Sequence, residues 1–172
     1  RGAAENAVVL LKNLGYPTEA YDLHLNFPGG APVDGPSAGV AMAIAMASAL
    51  ANVPVACDIA VTGEISARGR VLPVGGVRAK ARAAAKAGLE RLILPAANAA
   101  EALDAPIRAC PVSNIKEVFA LAMGEAALDA PSQEMAEPFF SQARVPAQKK
   151  IAAHAAEEGS APSEGKEDGV PI

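Results

Sequence analysis

An α/β fold with a mixed sheet and flanking helices is what this sequence predicts. Three observations carry the prediction. Short strand-like runs alternate with helical stretches along most of the chain, which is the order of a layered α/β domain. One hairpin signal, Arg68-Gly69 within Glu64–Leu72, adds an antiparallel element. The segment Asp34-Gly35-Pro36-Ser37-Ala38-Gly39 leads a loop into a long, nearly chargeless Ala/Met/Ile stretch, so a strand-like run and a buried helix meet there.

The elements follow in order. Residues 3–14 repeat Ala4, Val8, Leu11 and Ala7, Leu10, Leu14 at helical spacing, and Gly15 fits the stop. Asp22–Phe27 alternates, with Leu23, Leu25 and Phe27 on one side and Asp22, His24 and Asn26 on the other; that predicts a half-buried strand. The helix from Pro36 to about Ala51 is apolar all round, so burial on most sides is expected. Ile59–Thr62 reads as a core strand and Glu64–Leu72 as the hairpin. Gly75-Gly76 opens a helix from Val77 to about Ala87, stopped by Gly88. A strand at Arg91–Leu94, a short helix at Asn98–Leu103 and a strand at Ile107–Val112 come next. Ser113 or Asn114 caps a last helix that runs to Met123, with Gly124 after it.

Beyond Gly124 the periodicity is lost. We therefore set one domain at residues 1–124 and a largely disordered tail at 125–172, rich in Pro, Ser, Glu, Lys, Ala and Gly. The chain has 172 residues, a size that suits one domain with a tail. It is 51% hydrophobic but only 3% aromatic, so its core must be built from Ala, Val, Leu and Ile. A net charge of −4 argues against a nucleic-acid surface. No Walker-type phosphate loop occurs. Cys57 and Cys110 form no CxxC and no zinc pattern, which fits a reduced, cytoplasmic protein. The Gly39–Leu50 run is too short to span a membrane, and no signal peptide opens the chain.

The chemistry turns on Ser37. A helix start carries unpaired N–H groups and the positive end of the dipole. A serine there can attack a carbonyl while backbone donors hold the oxyanion, but most serines at helix starts are only caps. Catalysis requires a base. His154 falls in the tail, and His24 on the polar face of its run reads as a surface residue. Gly35-Pro36-Ser37-Ala38-Gly39 matches the GxSxG elbow of α/β-hydrolases, yet a Gly/Pro loop stands where that elbow needs a strand, and no well-placed histidine follows. A lysine can serve if its amine is neutral, and burial and a helix N-terminus both favour that form. Lys80 meets both conditions, one turn into its helix among Val77, Ala79, Ala81, Ala83 and Ala84. Lys86 lies at the helix's other end, and Lys12 and Lys116 have no such setting. Alone, Lys80 would read equally as a solvated helix lysine.

Three segments together resemble the proteolytic domain of the Lon proteases. They are Asp34–Gly39, Asp58–Gly69 (DIAVTGEISARG) and Val71–Lys80 (VLPVGGVRAK). The likeness continues through AAKAGLERLILP at 84–95 into 112–123 and covers roughly residues 1–124. Order and spacing agree throughout, the separation of Ser37 from Lys80 included. Tyr21–Asn26 (YDLHLN) with Pro73-Val74-Gly75-Gly76 looks most like the bacterial B-type branch.

The resemblance implies a Ser–Lys dyad, with Ser37 as nucleophile and Lys80 as general base. Thr62 matches the threonine that hydrogen-bonds the lysine amine. Asp34 matches an acidic position beside the nucleophile, where a carboxylate would favour the protonated lysine and mark an inactive or gated state. The implied activity is ATP-dependent endopeptidase cleavage of unfolded or damaged proteins in rings of six. The chemistry itself then needs no metal or organic cofactor; ATP and magnesium belong to an unfoldase module that this sequence lacks. Only 36 residues precede Ser37, so strands that normally come before the first helix are expected to be missing too. A competing class shares the fold as a silent, ring-forming structural domain. Such domains typically lack the serine and lysine that stand here at Ser37 and Lys80.

Overall fold

The structure, a computed structural model, describes residues 2–27, 35–125 and 127. The expected tail beyond residue 127 lies outside the described residues, as do Asp34 and His154.

Strands β1 (Ile59–Val61), β4 (Arg91–Pro95) and β5 (Arg108–Val112) form a parallel sheet in the order β1-β4-β5. Strands β2 (Glu64–Ile65) and β3 (Val71–Leu72) form a separate antiparallel pair. The parallel and antiparallel pairings expected of the α/β fold are both present, in two sheets among the described residues. β4 is the central strand, and its Leu92, Ile93, Leu94 and Pro95 are all buried. A near-continuous apolar run is what a parallel strand covered on both faces requires.

Period-two geometry sorts the sheet's side chains into two cores. Ile93 and Val112, with Ile59, Val61 and Cys110, pack towards helices α1 (Gly2–Asn13), α2 (Gly39–Ala51) and α4 (Ile115–Met123). Leu92 and Leu94, with Ala60 and Ala109, pack on helix α3 (Val77–Lys86) and a 3-10 segment, Ala96–Ala102. Alanine sets the spacing: α3 buries only Val77, Ala81 and Ala84, so it lies close to the strands. Burying those few side chains stabilises α3 by about 1.5 to 3 kcal/mol for the valine and less for each alanine. The aromatic share of the core is small; Tyr16 meets Phe119 edge-on at 6.2 Å. The Tyr16 hydroxyl donates to Ala127 O at 2.8 Å, and burial pushes its pKa up.

The ends of the helices follow their local chemistry. Asn114, not Ser113, caps α4: its side chain accepts from the Lys116 and Glu117 amides at 3.0 and 3.1 Å. The hairpin turns through Gly69, whose φ is +80°.

Two expectations change. Asp22–Phe27 keeps its alternation in burial, for Leu23 and Leu25 pack on the core while Asp22, His24 and Asn26 are exposed. It forms no ladder among the described residues, and Phe27 is exposed. Alternation reports one covered face, whereas a strand also needs a backbone neighbour. The helix expected from Pro36 begins as a 3-10 turn, Pro36–Ala38, before α2 proper. As expected, α2 is covered on most sides, and only Ala45 and Ala49 on its outer edge are exposed. Alanine there is a strong helix former with little apolar area to hide.

The bidentate pair of Asp58 and Arg91 ties the two neighbouring strand starts. Arg91 Nε donates to Asp58 Oδ2 and Nη2 to Oδ1, each at 2.7 Å, and Nη1 reaches Leu121 O at 3.3 Å. The hydrogen bonds from Arg91 hold the Asp58 carboxyl below its usual range. A depressed carboxylate contributes stability above its unfolded pKa, about 4, and that contribution is lost as pH falls through the folded value. We predict that Asp58→Asn lowers the melting temperature at neutral pH. The gap between variant and wild type should close as pH falls below about 4. A gap that is constant with pH would show that the pair contributes through packing alone.

Candidate active site

Ser37 sits in the middle of the Pro36–Ala38 turn and is half-buried. Pro36 opens the turn, where its missing N–H is not needed. The turn is clipped to the residues just past β1. Gly63 N donates to Ser37 O at 3.0 Å, and Val40 N donates to Gly63 O at 3.1 Å. Two glycines make this approach possible. A Cβ on Gly39 would lie 3.1 Å from Ile65 Cγ2 and 3.2 Å from Ile65 N. A Cβ on Gly63 would lie 2.8 Å from Val40 Cγ2.

Thr62 follows β1 directly and is 5% exposed. Its amide donates to Ile93 O at 3.0 Å, which fixes it to the central strand. Its hydroxyl donates to Ser37 O at 3.4 Å, a long contact. The same oxygen accepts from Lys80 Nζ at 3.2 Å. One hydroxyl can do both, having one proton to give and lone pairs to receive.

Lys80 is the fourth residue of α3 and is half-buried. Its amide makes the first-turn bond to Gly76 O at 3.1 Å. Gly76, at φ +72°, turns the chain into the helix. Lys80 therefore reaches back from the N-terminal end of α3 to the C-terminal end of β1.

The structure thus brings Lys80, Thr62 and the Ser37 turn together, linked through the Thr62 hydroxyl. No hydrogen bond joins Ser37 Oγ to Lys80 Nζ among the described residues. Asp34 is outside them. His24 is exposed. No group of three or more His, Cys, Asp or Glu side chains among the described residues could hold a metal ion.

Two contributors escaped sequence reasoning. Gly63 is the close-contact residue described above. Asn98, 6% exposed, bonds the backbone of Val74 just before α3. Its one sequence signal is a lone amide in an alanine-rich stretch.

The family description of the Lon protease (S16) C-terminal proteolytic domain matches residues 8–126, more than half of the chain. Lon protease 2 of Bacillus subtilis is 44% identical over 98 residues, which is 57% of this chain and 18% of that protein. Lon protease 1 of Thermus thermophilus is 60% identical over 87 residues, 50% of this chain and 11% of that protein. The Lon protease of Trichlorobacter lovleyi is 42% identical over 139 residues, 77% of this chain and 17% of that protein. The chain thus spans less than a fifth of the length of these relatives.

Proposed function

The chain belongs to the Lon protease family through its C-terminal proteolytic domain, and from that premise we propose that it cleaves peptide bonds with Ser37 as nucleophile and Lys80 as general base. The observation that carries this reading is the Lys80 Nζ bond to Thr62 Oγ1, made by the residue that also bonds the Ser37 turn. Thr62 holds the amine at the serine's turn, and a neutral amine there can take the Ser37 proton. Ser37 Oγ then attacks the scissile carbonyl. The developing oxyanion would be held by backbone N–H groups of the Ser37 turn. The proton held on Lys80 passes to the leaving amine, and an acyl-enzyme remains on Ser37. Water, deprotonated by Lys80, releases the acyl group and restores both side chains.

In the same proposal the substrates are unfolded or damaged polypeptides, delivered in the cytoplasm by an ATP- and magnesium-dependent unfoldase to a ring of six copies. Among the described residues no helix is long and apolar enough to cross a membrane.

The test is where a fluorophosphonate probe binds. Incubation of the full chain should leave one adduct, located on Ser37 itself by fragmentation of the peptide that contains it. An adduct confined to another serine, or none at all, would remove the catalytic reading and leave a structural domain.

A further inference from the structure

We propose that Asn98 is the positioning residue for Lys80, acting through a two-point clamp on the backbone of Val74. This inference rests on the reading of Lys80 as the base.

The loop from β3 to α3 contains Gly75-Gly76. A Cβ on either glycine would meet nothing within 4 Å. Packing therefore does not hold this stretch, and two adjacent glycines are the most permissive joint a chain can have. Yet Lys80 must present its amine to one oxygen, Thr62 Oγ1, at 3.2 Å. Something must fix where α3 begins.

Downstream of the glycines Val77 is fully buried in the small core with Leu92, Leu94 and Ala102. Upstream the fixed point is Val74. Its amide donates to Asn98 Oδ1 at 3.0 Å, and its carbonyl accepts from Asn98 Nδ2 at 3.0 Å. The second Nδ2 proton goes to Glu101 Oε1 at 2.6 Å. All three bonds agree on which amide atom is oxygen and which is nitrogen. A side-chain amide paired with both groups of one residue fixes position and orientation together.

The clamp shares its reference with the other half of the site. Asn98 stands three residues past the end of β4, and Thr62 is bonded to Ile93 of β4. Strand β4 therefore registers the lysine's helix and the threonine that receives the lysine. The 3-10 segment carrying Asn98 also packs on α3 through Ala102. An exposed pair, Arg78 with Asp104 at 3.9 Å, lies beside that contact.

Asn98→Ala should slow Ser37 acylation by a fluorophosphonate about 10- to 100-fold, the cost of a misplacement near 1 Å. The final extent of labelling and the circular dichroism should stay those of the wild type. The Val74 amide should exchange its proton faster. Ala100→Gly is the control. It loosens the same segment at an exposed position away from α3, so it should lower the melting temperature and leave the acylation rate unchanged. If Asn98→Ala does not fold, Asn98→Asp combined with Glu101→Gln takes its place. That pair keeps the acceptor for the Val74 amide and sets a carboxylate oxygen against the Val74 carbonyl in place of the donor, so it should slow acylation in the same direction.

A wild-type acylation rate in a folded clamp variant, with Val74 exchange accelerated, overturns the proposal. So does a loss of rate matched by the Ala100→Gly control at equal loss of stability. Lys80→Ala in the same series separates the two readings. Lys80→Ala inert with Asn98→Ala at full rate removes only the clamp. Lys80→Ala at full rate removes the base, and the clamp's role with it.

Discussion

Ser37→Ala should abolish peptide hydrolysis, and Lys80→Ala should do the same, each by about 10,000-fold or more relative to a cleaving preparation of the wild type. The two should not add. Nucleophile and base act in one step, so the double variant should be no slower than either single one. Lys80→Arg is the sharper member of the set. It keeps the charge and roughly the reach, but a guanidinium cannot give up its proton near neutral pH. If Lys80 served only as a cation, Lys80→Arg would retain most of the activity. Thr62→Ala should cost less, about tenfold to a hundredfold, because it removes a bond that aims the amine and not a reacting group. Thr62→Ser should recover most of that loss, since the hydroxyl that receives Lys80 Nζ at 3.2 Å is retained. His24→Ala should acylate normally, as that side chain is exposed. Substantial turnover by folded Ser37→Ala, Lys80→Ala or Lys80→Arg would sink the Ser–Lys mechanism.

How far the sequence carried depends on what kind of force shapes each part. Elements made by local periodicity and caps were legible. The apolar run at Arg91–Pro95 is the central strand, and Asn114 is the cap of α4. Gly75-Gly76 does open α3. Ser37, Thr62 and Lys80 could be singled out because their segments follow a family's spacing. Elements that depend on a distant neighbour were not legible. Asp22–Phe27 has the pattern of a strand but no ladder among the described residues. The outer alanines of α2 look like buried ones, because methyl groups give hydropathy scales no sign of direction. Asp58 and Arg91 are far apart in the chain, and nothing local marks them as partners. The same is true of Asn98 and Val74. A side chain that bonds remote backbone leaves no periodic trace in a sequence. What supports the site is therefore harder to read than what composes it.

Gly63→Ala should damage stability and chemistry together. The added carbon would stand 2.8 Å from Val40 Cγ2, 3.1 Å from Val71 Cγ1 and 3.6 Å from Pro95 Cγ. None of these can swing aside. Valine is stiff at χ1, Val40 is 0% exposed, and proline is a ring. The backbone must move instead, and the backbone here is the clip on the nucleophile. Gly63 N holds Ser37 O at 3.0 Å, and Gly63 O holds Val40 N at 3.1 Å. Overpacking of this kind costs about 1 to 3 kcal/mol, which for a domain of this size lowers the melting temperature by roughly 3 to 12 °C. The shift also carries the Ser37 turn away from Thr62 and Lys80, so acylation should slow about 100-fold even where the variant is fully folded. Gly75→Ala is the matched control. Its Cβ would meet nothing within 4 Å, so it should leave both melting temperature and acylation nearly unchanged. The two quantities, compared across the two variants, decide the matter. If Gly63→Ala melts and acylates like Gly75→Ala, the close contact does not hold the nucleophile. If it loses stability but acylates normally at a temperature where it is folded, the strain is relieved on the Val71 side and the clip to Ser37 survives.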